Sequence, residues 1–288
     1  MSTSATTAIH QRLSGLTPTE QRIARHVLDD PGRVVEASIT QLAAESGTSP
    51  ASVARFSQSL GFAGYPEFRL ALATELDRNE SDRERFQVAE GDVDRHDDAH
   101  TTVRKIAFAE ASAIERTARQ LDIDELERGV TAIRKARRID IYGAASSGLA
   151  ALDLEQKLHR AGLVAQARTD LHLALTGAAL LDSRDVAVAI SHSGRTLEIV
   201  QAAEVAAASG ATTIAVTNNP RSPLARVCTL TLVTAVADST FRSGAMASRI
   251  AQLAVLDFLF VRIAQADYDT ISDNLKRTYD AVTSHRID

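Results

Sequence analysis

The sequence predicts an α/β protein in which a small all-α domain precedes a doubly wound parallel sheet. Three observations support this prediction. Helix-capping signals are concentrated near the N-terminus, a charged segment without clear periodicity follows, and short apolar runs then alternate with helical patterns. Repeated strand–helix units of this kind form parallel sheets with helices on both faces. We expect a helical domain over residues 1–77, a linker over 78–100 and the α/β domain over 101–288.

Three helix starts in the N-terminal domain are marked by residues that cap the backbone. The segments TPTE (17–20) and SITQ (38–41) have the spacing of a capping box, and the first carries proline at the first helical position. Ser49 followed by Pro50 marks a third start. The predicted helices run from residue 17 to about 28, from 38 to 45 and from 49 to 60.

The spacing between the second and third helices is that of a helix-turn-helix. Ala43 is small where two helices must cross closely, and Val53 is a β-branched residue placed to fill the space between them. Gly47 lies in the short connection, where it can adopt the positive φ of a tight turn. The sequence therefore predicts a motif that many DNA-binding proteins share.

The third helix is the one that a helix-turn-helix places in the major groove. Arg55 is the only cation on it and can read guanine or pair with a phosphate. The same pattern also fits a plain three-helix interaction module, because capping boxes indicate only helices. The residues expected to contact DNA are Thr48, Ser49, Ala51, Ser52, Arg55 and Gln58.

Residues 13–76 resemble the N-terminal domain of RpiR-type (MurR/RpiR) sugar-responsive regulators. The resemblance is carried by LTPTEQRIARHVLDDP and by SITQLAAESGTSPASVARFSQSLGFAGYPEFRLALATEL, and it is most specific in ARFSQSLGFAGYPEF (54–68). It implies that this domain binds operator DNA.

The C-terminal domain contains five short apolar runs that we interpret as strands. Helical patterns separate them, and two further helices are predicted over Ser243–Gln265 and Tyr268–Thr283. The continuous run DVAVAI is typical of a strand that helices cover on both faces. The predicted strands are Arg138–Tyr142, Leu163–Ala167, Asp185–Ile190, Thr212–Val216 and Thr229–Thr234.

Two hydroxyl-rich turns follow predicted strands and precede predicted helices. SHSGRT (191–196) combines three hydroxyls with a glycine, and GAASSG (143–148) adds two serines at the same edge of the sheet. Ligands of open α/β sheets bind at this edge, and helix N-termini there favour anions. Neither turn is a Walker loop or a dinucleotide fingerprint. The expected ligand is a small phosphorylated metabolite, and the expected contacts are Ser146, Ser147, Ser191, His192, Ser193, Gly194 and Thr196.

The region from Leu126 to Val261 resembles the SIS (sugar isomerase) domain. The shared pattern is Gly-x-Gly-x-Ser, here Gly143, Ala145 and Ser147, followed by Ser-x-Ser-Gly-x-Thr at residues 191–196. The resemblance implies phosphate contacts at Ser191, Ser193 and Thr196, with Ser147 on the sugar. Ala145 stands where the family usually has glycine, which predicts a less open turn.

An isomerase is the alternative function, because the SIS fold also carries aldose–ketose isomerases. Such an enzyme needs a base beside the substrate C1 and C2. The candidates are His192, Glu155, His159 and Glu198, and no carboxylate–histidine arrangement singles one out. His172, close to Asp170, is interpreted as a residue of a helix start rather than a metal ligand. We therefore predict no catalytic residue, no metal and no cofactor.

Composition limits the remaining classes of function. The single cysteine, Cys228, excludes an intramolecular disulfide and a multi-cysteine zinc site, and no apolar stretch is long enough to span a membrane. The first eight residues lack the pattern of a secretory signal, so a cytoplasmic location is the default. The net charge of −5 argues against a broad nucleic-acid surface, which leaves a small local one.

Together the two resemblances imply a DNA-binding transcriptional regulator that a phosphorylated sugar controls. SIS domains pair, so a homodimer or homotetramer is expected, with residues 103–121 and 243–265 as candidate interfaces. A dimer would meet operator half-sites about 34 Å apart. An interaction scaffold in which both motifs are vestigial is the remaining alternative.

Overall fold

The computed structural model describes residues 4–86, 93–236 and 246–283, which fall into two compact units. The first unit contains the described residues up to Arg116 together with residues 235–236. The second unit contains Thr117–Thr234 and residues 246–283.

The first unit is helical, and both predicted capping boxes are confirmed. The side chains of Thr17 and Ser38 each accept a hydrogen bond from the N–H three residues on, and the side chains of Glu20 and Gln41 each accept one from the cap N–H. Such caps stabilise a helix by about 1 kcal/mol each. Besides a short 3₁₀ helix at Leu13–Gly15, its helices are α1 (Ala5–Arg12), α2 (Pro18–Asp29), α3 (Pro31–Glu36), α4 (Ile39–Glu45), α5 (Pro50–Ser59), α6 (Tyr65–Phe86) and most of α7 (Ala99–Gln120).

The connection between α4 and α5 has the geometry predicted for a helix-turn-helix. Gly47 has φ of 63°, and the N–H of Thr48 donates to the carbonyl of Ala43 at 2.8 Å. Val53 and Phe56 are fully buried between the helices, and the ring of Phe56 packs edge-to-face on Phe68 at 5.6 Å. Their packing fixes α5 against the rest of the unit.

The predicted linker begins within a helix of the structure. Helix α6 continues to Phe86, residues 87–92 lie outside the described part of the chain, and α7 begins at Ala99. Arginine and glutamate, which are frequent after residue 77, are good helix formers. A helix can therefore continue into this segment without an apolar period.

The second unit contains a five-stranded parallel sheet, as predicted. The strand order β2-β1-β3-β4-β5 is that of a doubly wound fold. The strands are β1 (Ile139–Gly143), β2 (Ala165–Arg168), β3 (Val186–Ile190), β4 (Thr212–Thr217) and β5 (Leu230–Val233).

Helices cover both faces of this sheet, and the side chains of β3 show how. Val186, Val188 and Ile190 point into the core formed with α8, α9 and α13, whereas Ala187 and Ala189 face α10, α11 and α12. Small residues on the second face let α11 approach the sheet closely. The helices of this unit are α8 (Ile123–Lys135), α9 (Ala145–Arg160), α10 (Leu171–Ala178), α11 (Leu197–Ala208), α12 (Pro223–Val227), α13 (Met246–Ala266) and α14 (Tyr268–Thr283).

Residues 243–245, the predicted start of α13, lie outside the described residues. Among the described helices, none is both long and apolar enough to cross a membrane.

Candidate ligand site and DNA-recognition surface

The carboxyl ends of β1 and β3 form the switch point of the second unit. These strands are paired in parallel, with Gly143 opposite Ile190 at their last residues. Helix α9 leaves β1 toward one face of the sheet, and α11 leaves β3 toward the other. The space between the two strand ends, which we call the crevice, is where open α/β sheets bind ligands.

The loop after β3 presents part of its polar groups to solvent. Ser193 and Arg195 are exposed, whereas Ser191 is 3% exposed and its Oγ lies 3.0 Å from the Oγ1 of Thr196. The Oγ of Ser193 accepts a hydrogen bond from the N–H of Arg195. The predicted residues 191–196 thus lie in one loop, in which the buried Ser191 hydroxyl is within hydrogen-bond distance of the Thr196 hydroxyl.

Main-chain hydrogen bonds hold this loop against the neighbouring strand and helix. The carbonyl of His192 accepts from the N–H of Asn218 at 2.9 Å and from the Oγ1 of Thr217 at 3.1 Å. The carbonyl of Gly194 accepts from the N–H of Leu224 at 3.1 Å. The backbone of His192 and Gly194 therefore holds this loop in place.

Gly194 is a position that only glycine fits. Its φ is 61°, in the left-handed region, and an added Cβ would overlap the side chain of Ser222 and lie 2.9 Å from the Oγ1 of Thr217. The backbone of the loop can approach β4 this closely because there is no side chain in the way.

The turn after β1 is equally close-packed. A Cβ on Gly143 would lie 2.5 Å from the carbonyl oxygen of Ser147, so glycine is required there too. The Oγ of Ser147 accepts a hydrogen bond from the Nε2 of Gln252 on α13 at 3.1 Å. The Oγ of Ser146 is shielded from solvent and has no hydrogen-bond partner among the described residues. Both serines lie in the first turn of α9.

The N-termini of α9 and α11 differ from those of eight other helices. Their N-cap residues, Ala144 and Thr196, make no side-chain hydrogen bond to the helix. By contrast, α1–α5, α8, α10 and α12 each have a Ser, Thr or Asp side chain that accepts from the first turn. The two helices that begin at the switch point thus leave N–H groups of their first turns without a capping side chain.

Ala145 adopts a backbone conformation that favours glycine. Its φ is 49°, and it is the only non-glycine residue with positive φ in the described part of the chain. We expect Ala145→Gly to raise the free energy of unfolding by about 0.5–1 kcal/mol, because relief of the left-handed strain exceeds the entropy cost of glycine. Urea denaturation measures the change. The matched control is Ala132→Gly within α8, which should lose about 1 kcal/mol; equal losses at the two positions would contradict the strain at Ala145.

The structure separates the candidate bases of the isomerase alternative. Glu155 accepts a hydrogen bond from the N–H of Ala167 and so ties α9 to β2. His159 is exposed near the C-terminus of α9, at the sheet edge opposite the crevice. His192 and Glu198 lie in or next to the loop after β3, and His172 is exposed in the first turn of α10.

Two polar features of this unit were missed by sequence reasoning. Gln252 is 1% exposed, and the available signal was one polar residue within the apolar run IAQLAVL (250–256) of α13. Asp140 is fully buried in β1, 2.9 Å from the Nε of Arg138 and 2.6 Å from the Nε of Arg168. Gly177 on α10 makes room for this cluster, since a Cβ there would overlap Arg168.

In the first unit, α5 presents the predicted DNA-contact residues to solvent. Ser49, Ala51, Arg55 and Gln58 are exposed, and Ser52 is half-buried. Thr48 is half-buried, and its Oγ1 lies 2.9 Å from the Oγ of Ser46 in the preceding turn.

The carboxylate of Glu20 lies near Arg55 and ties α2 to α5. Glu20 accepts a hydrogen bond from the Oγ of Ser59 at 2.6 Å. Burial opposes ionisation of Glu20, but the hydrogen bonds from Ser59 and Thr17 and the charge of Arg55 keep the pKa of its carboxyl below the usual value. The carboxylate thus anchors α2 to the end of α5, next to Arg55.

The comparisons agree with both halves of the fold. Residues 3–79 match the helix-turn-helix domain of the rpiR family, and residues 132–262 match the SIS domain. The chain is 37% identical to an uncharacterized HTH-type transcriptional regulator of Caldanaerobacter subterraneus subsp. tengcongensis, with 97% of each chain covered.

Solved structures show the same architecture. The NanR protein of Vibrio vulnificus, complexed with ManNAc-6P, is 26% identical with a TM-score of 0.61, covering 98% of this chain and 100% of that one. A putative sugar-phosphate isomerase of Listeria monocytogenes is 25% identical with a TM-score of 0.56, covering 62% of this chain and 96% of that one. The present chain belongs to the rpiR family of helix-turn-helix transcriptional regulators that carry a SIS domain.

Proposed function

We propose that this regulator binds a phosphorylated sugar in the crevice between β1 and β3, and that this binding controls its affinity for operator DNA. The observation that carries the proposal is the pair of uncapped helix N-termini, α9 and α11, at the same switch point. Each helix end carries a partial positive charge and free N–H groups, which favour an anion such as a phosphate.

The roles of the individual residues follow from their places in the loops. Ser193 and Thr196, supported by Ser191, supply hydroxyls to the phosphate, and the main chain of His192 and Gly194 shapes the loop around it. Ser147, in the first turn of α9, faces the sugar from the other side of the crevice, and Ser146 lies beside it with its Oγ shielded from solvent. A hydroxyl can donate and accept, so both loops suit a polyhydroxylated phosphate ester.

A sensing role has more support than the isomerase alternative. The relatives named as HTH-type transcriptional regulators favour sensing, Glu155 is engaged in a main-chain hydrogen bond, and His159 lies at the sheet edge opposite the crevice. His192 and Glu198 lie beside the crevice and are the bases that a turnover assay tests. The complex of NanR with ManNAc-6P supports a phosphorylated amino sugar or a related compound as the class of effector.

The DNA half of the proposal rests on α5. A homodimer would present two copies of this helix to half-sites about 34 Å apart. The whole operator is then bound more tightly than one half-site is bound by a single helix. The effector can change operator binding only by the difference in its affinity for the two states of the protein.

Thermal denaturation with a panel of phosphosugars tests the sensing half. A ligand at about 100 times its Kd stabilises a protein by about 2.7 kcal/mol, so we expect a melting temperature raised by roughly 5 °C or more. Ser193→Ala should reduce this rise, because it removes an exposed hydroxyl of the loop. Ser183→Ala, an exposed serine just before β3 at the opposite sheet edge, should retain it.

The outcomes distinguish the alternatives. Equal shifts for both serine variants would place the ligand elsewhere, and no shift with any panel member would remove the sensing proposal. Turnover of a panel sugar by the wild-type protein would favour the isomerase.

A further inference from the structure

Gln252 is a buried polar side chain in the apolar run IAQLAVL (250–256) of α13. Val255 and Leu256, one turn further along α13, are fully buried, Ser248 and Arg249, one turn earlier, are half-buried, and Gln252 itself is 1% exposed. Burying an amide costs free energy unless its groups are hydrogen-bonded. A methionine or leucine would serve the packing of α13 alone at lower cost, so the amide has another use.

The use visible in the structure is its hydrogen bond to the candidate ligand site. The Nε2 of Gln252 donates to the Oγ of Ser147 at 3.1 Å, across the contact between α13 and α9. Ser147 lies in the first turn of α9, whose N-terminus has no capping side chain. The buried amide therefore reaches the edge of the crevice through this hydroxyl.

This hydrogen bond determines what Ser147 can offer a ligand. A serine hydroxyl has one hydrogen, and when its oxygen accepts from Gln252 the hydrogen is free to point elsewhere. Among the described residues no acceptor for it is seen, and the uncapped N–H groups of α9 are donors beside it. The first turn of α9 therefore offers a ligand hydrogen-bond donors, namely the Ser147 hydroxyl and the uncapped N–H groups.

We infer that Gln252 is a positioning residue that fixes Ser147 as a hydrogen-bond donor and so selects a ligand with an acceptor oxygen at that point. The inference rests on the proposed function, because it concerns the same crevice. Gln252 acts through Ser147 and does not itself touch the ligand.

The test is a double-mutant cycle on ligand affinity, with ManNAc-6P, glucose 6-phosphate and ribose 5-phosphate as probes in titration calorimetry. Gln252→Met keeps the shape of the side chain but removes the donor, and Kd should rise about 5-fold. Gln252→Glu, when ionised, can only accept and turns the Ser147 hydrogen away from the crevice, so Kd should rise 10-fold or more. In a Ser147→Ala background, Gln252→Met should change Kd less than 2-fold.

A merely structural role gives a different pattern. It predicts that Gln252→Met lowers the melting temperature of the ligand-free protein and leaves Kd unchanged, whereas we expect an unchanged or higher melting temperature with weaker binding. Equal losses of affinity from Gln252→Met with and without Ser147 would also overturn the inference. A wild-type protein that binds none of the three probes would overturn the proposed function, and this inference with it.

Discussion

Arg55→Ala is expected to weaken operator binding by about 10- to 100-fold without lowering the melting temperature. Arg55 is exposed on the outward face of α5 and is the only cation of that helix. Loss of an arginine that reads guanine costs about 1–3 kcal/mol per site. The fold should tolerate the change, because Glu20 keeps its hydrogen bonds from Ser59 and Thr17.

The measurement is fluorescence anisotropy at fixed salt on an operator recovered by selection from genomic DNA. Arg25→Ala is the matched control, since it removes the same charge from an exposed position of α2. Glu20 marks the side of α2 that contacts α5, and Arg25, five residues on, lies on a different side of the helix. We expect less than a 3-fold loss for Arg25→Ala. Equal losses in the two variants would indicate general attraction to phosphates, and an unchanged Arg55→Ala protein would mean that α5 is not the recognition helix.

Features that depend on local sequence were predictable, and the helix-turn-helix is the clearest case. Its caps involve residues three apart, and its turn needs one glycine with positive φ. The strands could be recognised for a similar reason, because a continuous apolar run such as that of β3 is required wherever helices cover both faces. The two loops of the crevice then followed from the ends of those strands.

Features that depend on distant pairs were not predictable. Gln252 meets Ser147 across the packing of α13 on α9, and Asp140 meets Arg168 only after β2 pairs with β1. The strain at Ala145 is also a property of the folded turn, where φ is 49°. A single sequence shows the residue types in these pairs but not which residues will be neighbours.

Gly194→Ala is expected to have the largest effect on the candidate ligand site. An alanine here must adopt φ of 61° and overlap Ser222, which caps α12. Left-handed strain and overpacking together should lower the free energy of unfolding by about 2–4 kcal/mol. Because relief of the overlap requires the loop to move away from β4, the variant should also lose the stabilisation by phosphosugars.

Gly210→Ala is the matched control that separates these two effects. Gly210 follows α11 with φ of 90°, and the nearest atom to an added Cβ is 3.8 Å away. An alanine at this position has backbone strain but no steric overlap, so the free energy of unfolding should fall by about 1–2 kcal/mol. The stabilisation by phosphosugars should be kept. Urea denaturation with and without phosphosugar measures both quantities in each protein. If Gly194→Ala retained the full ligand response, the anion would not be held by the loop after β3, whatever the loss of stability.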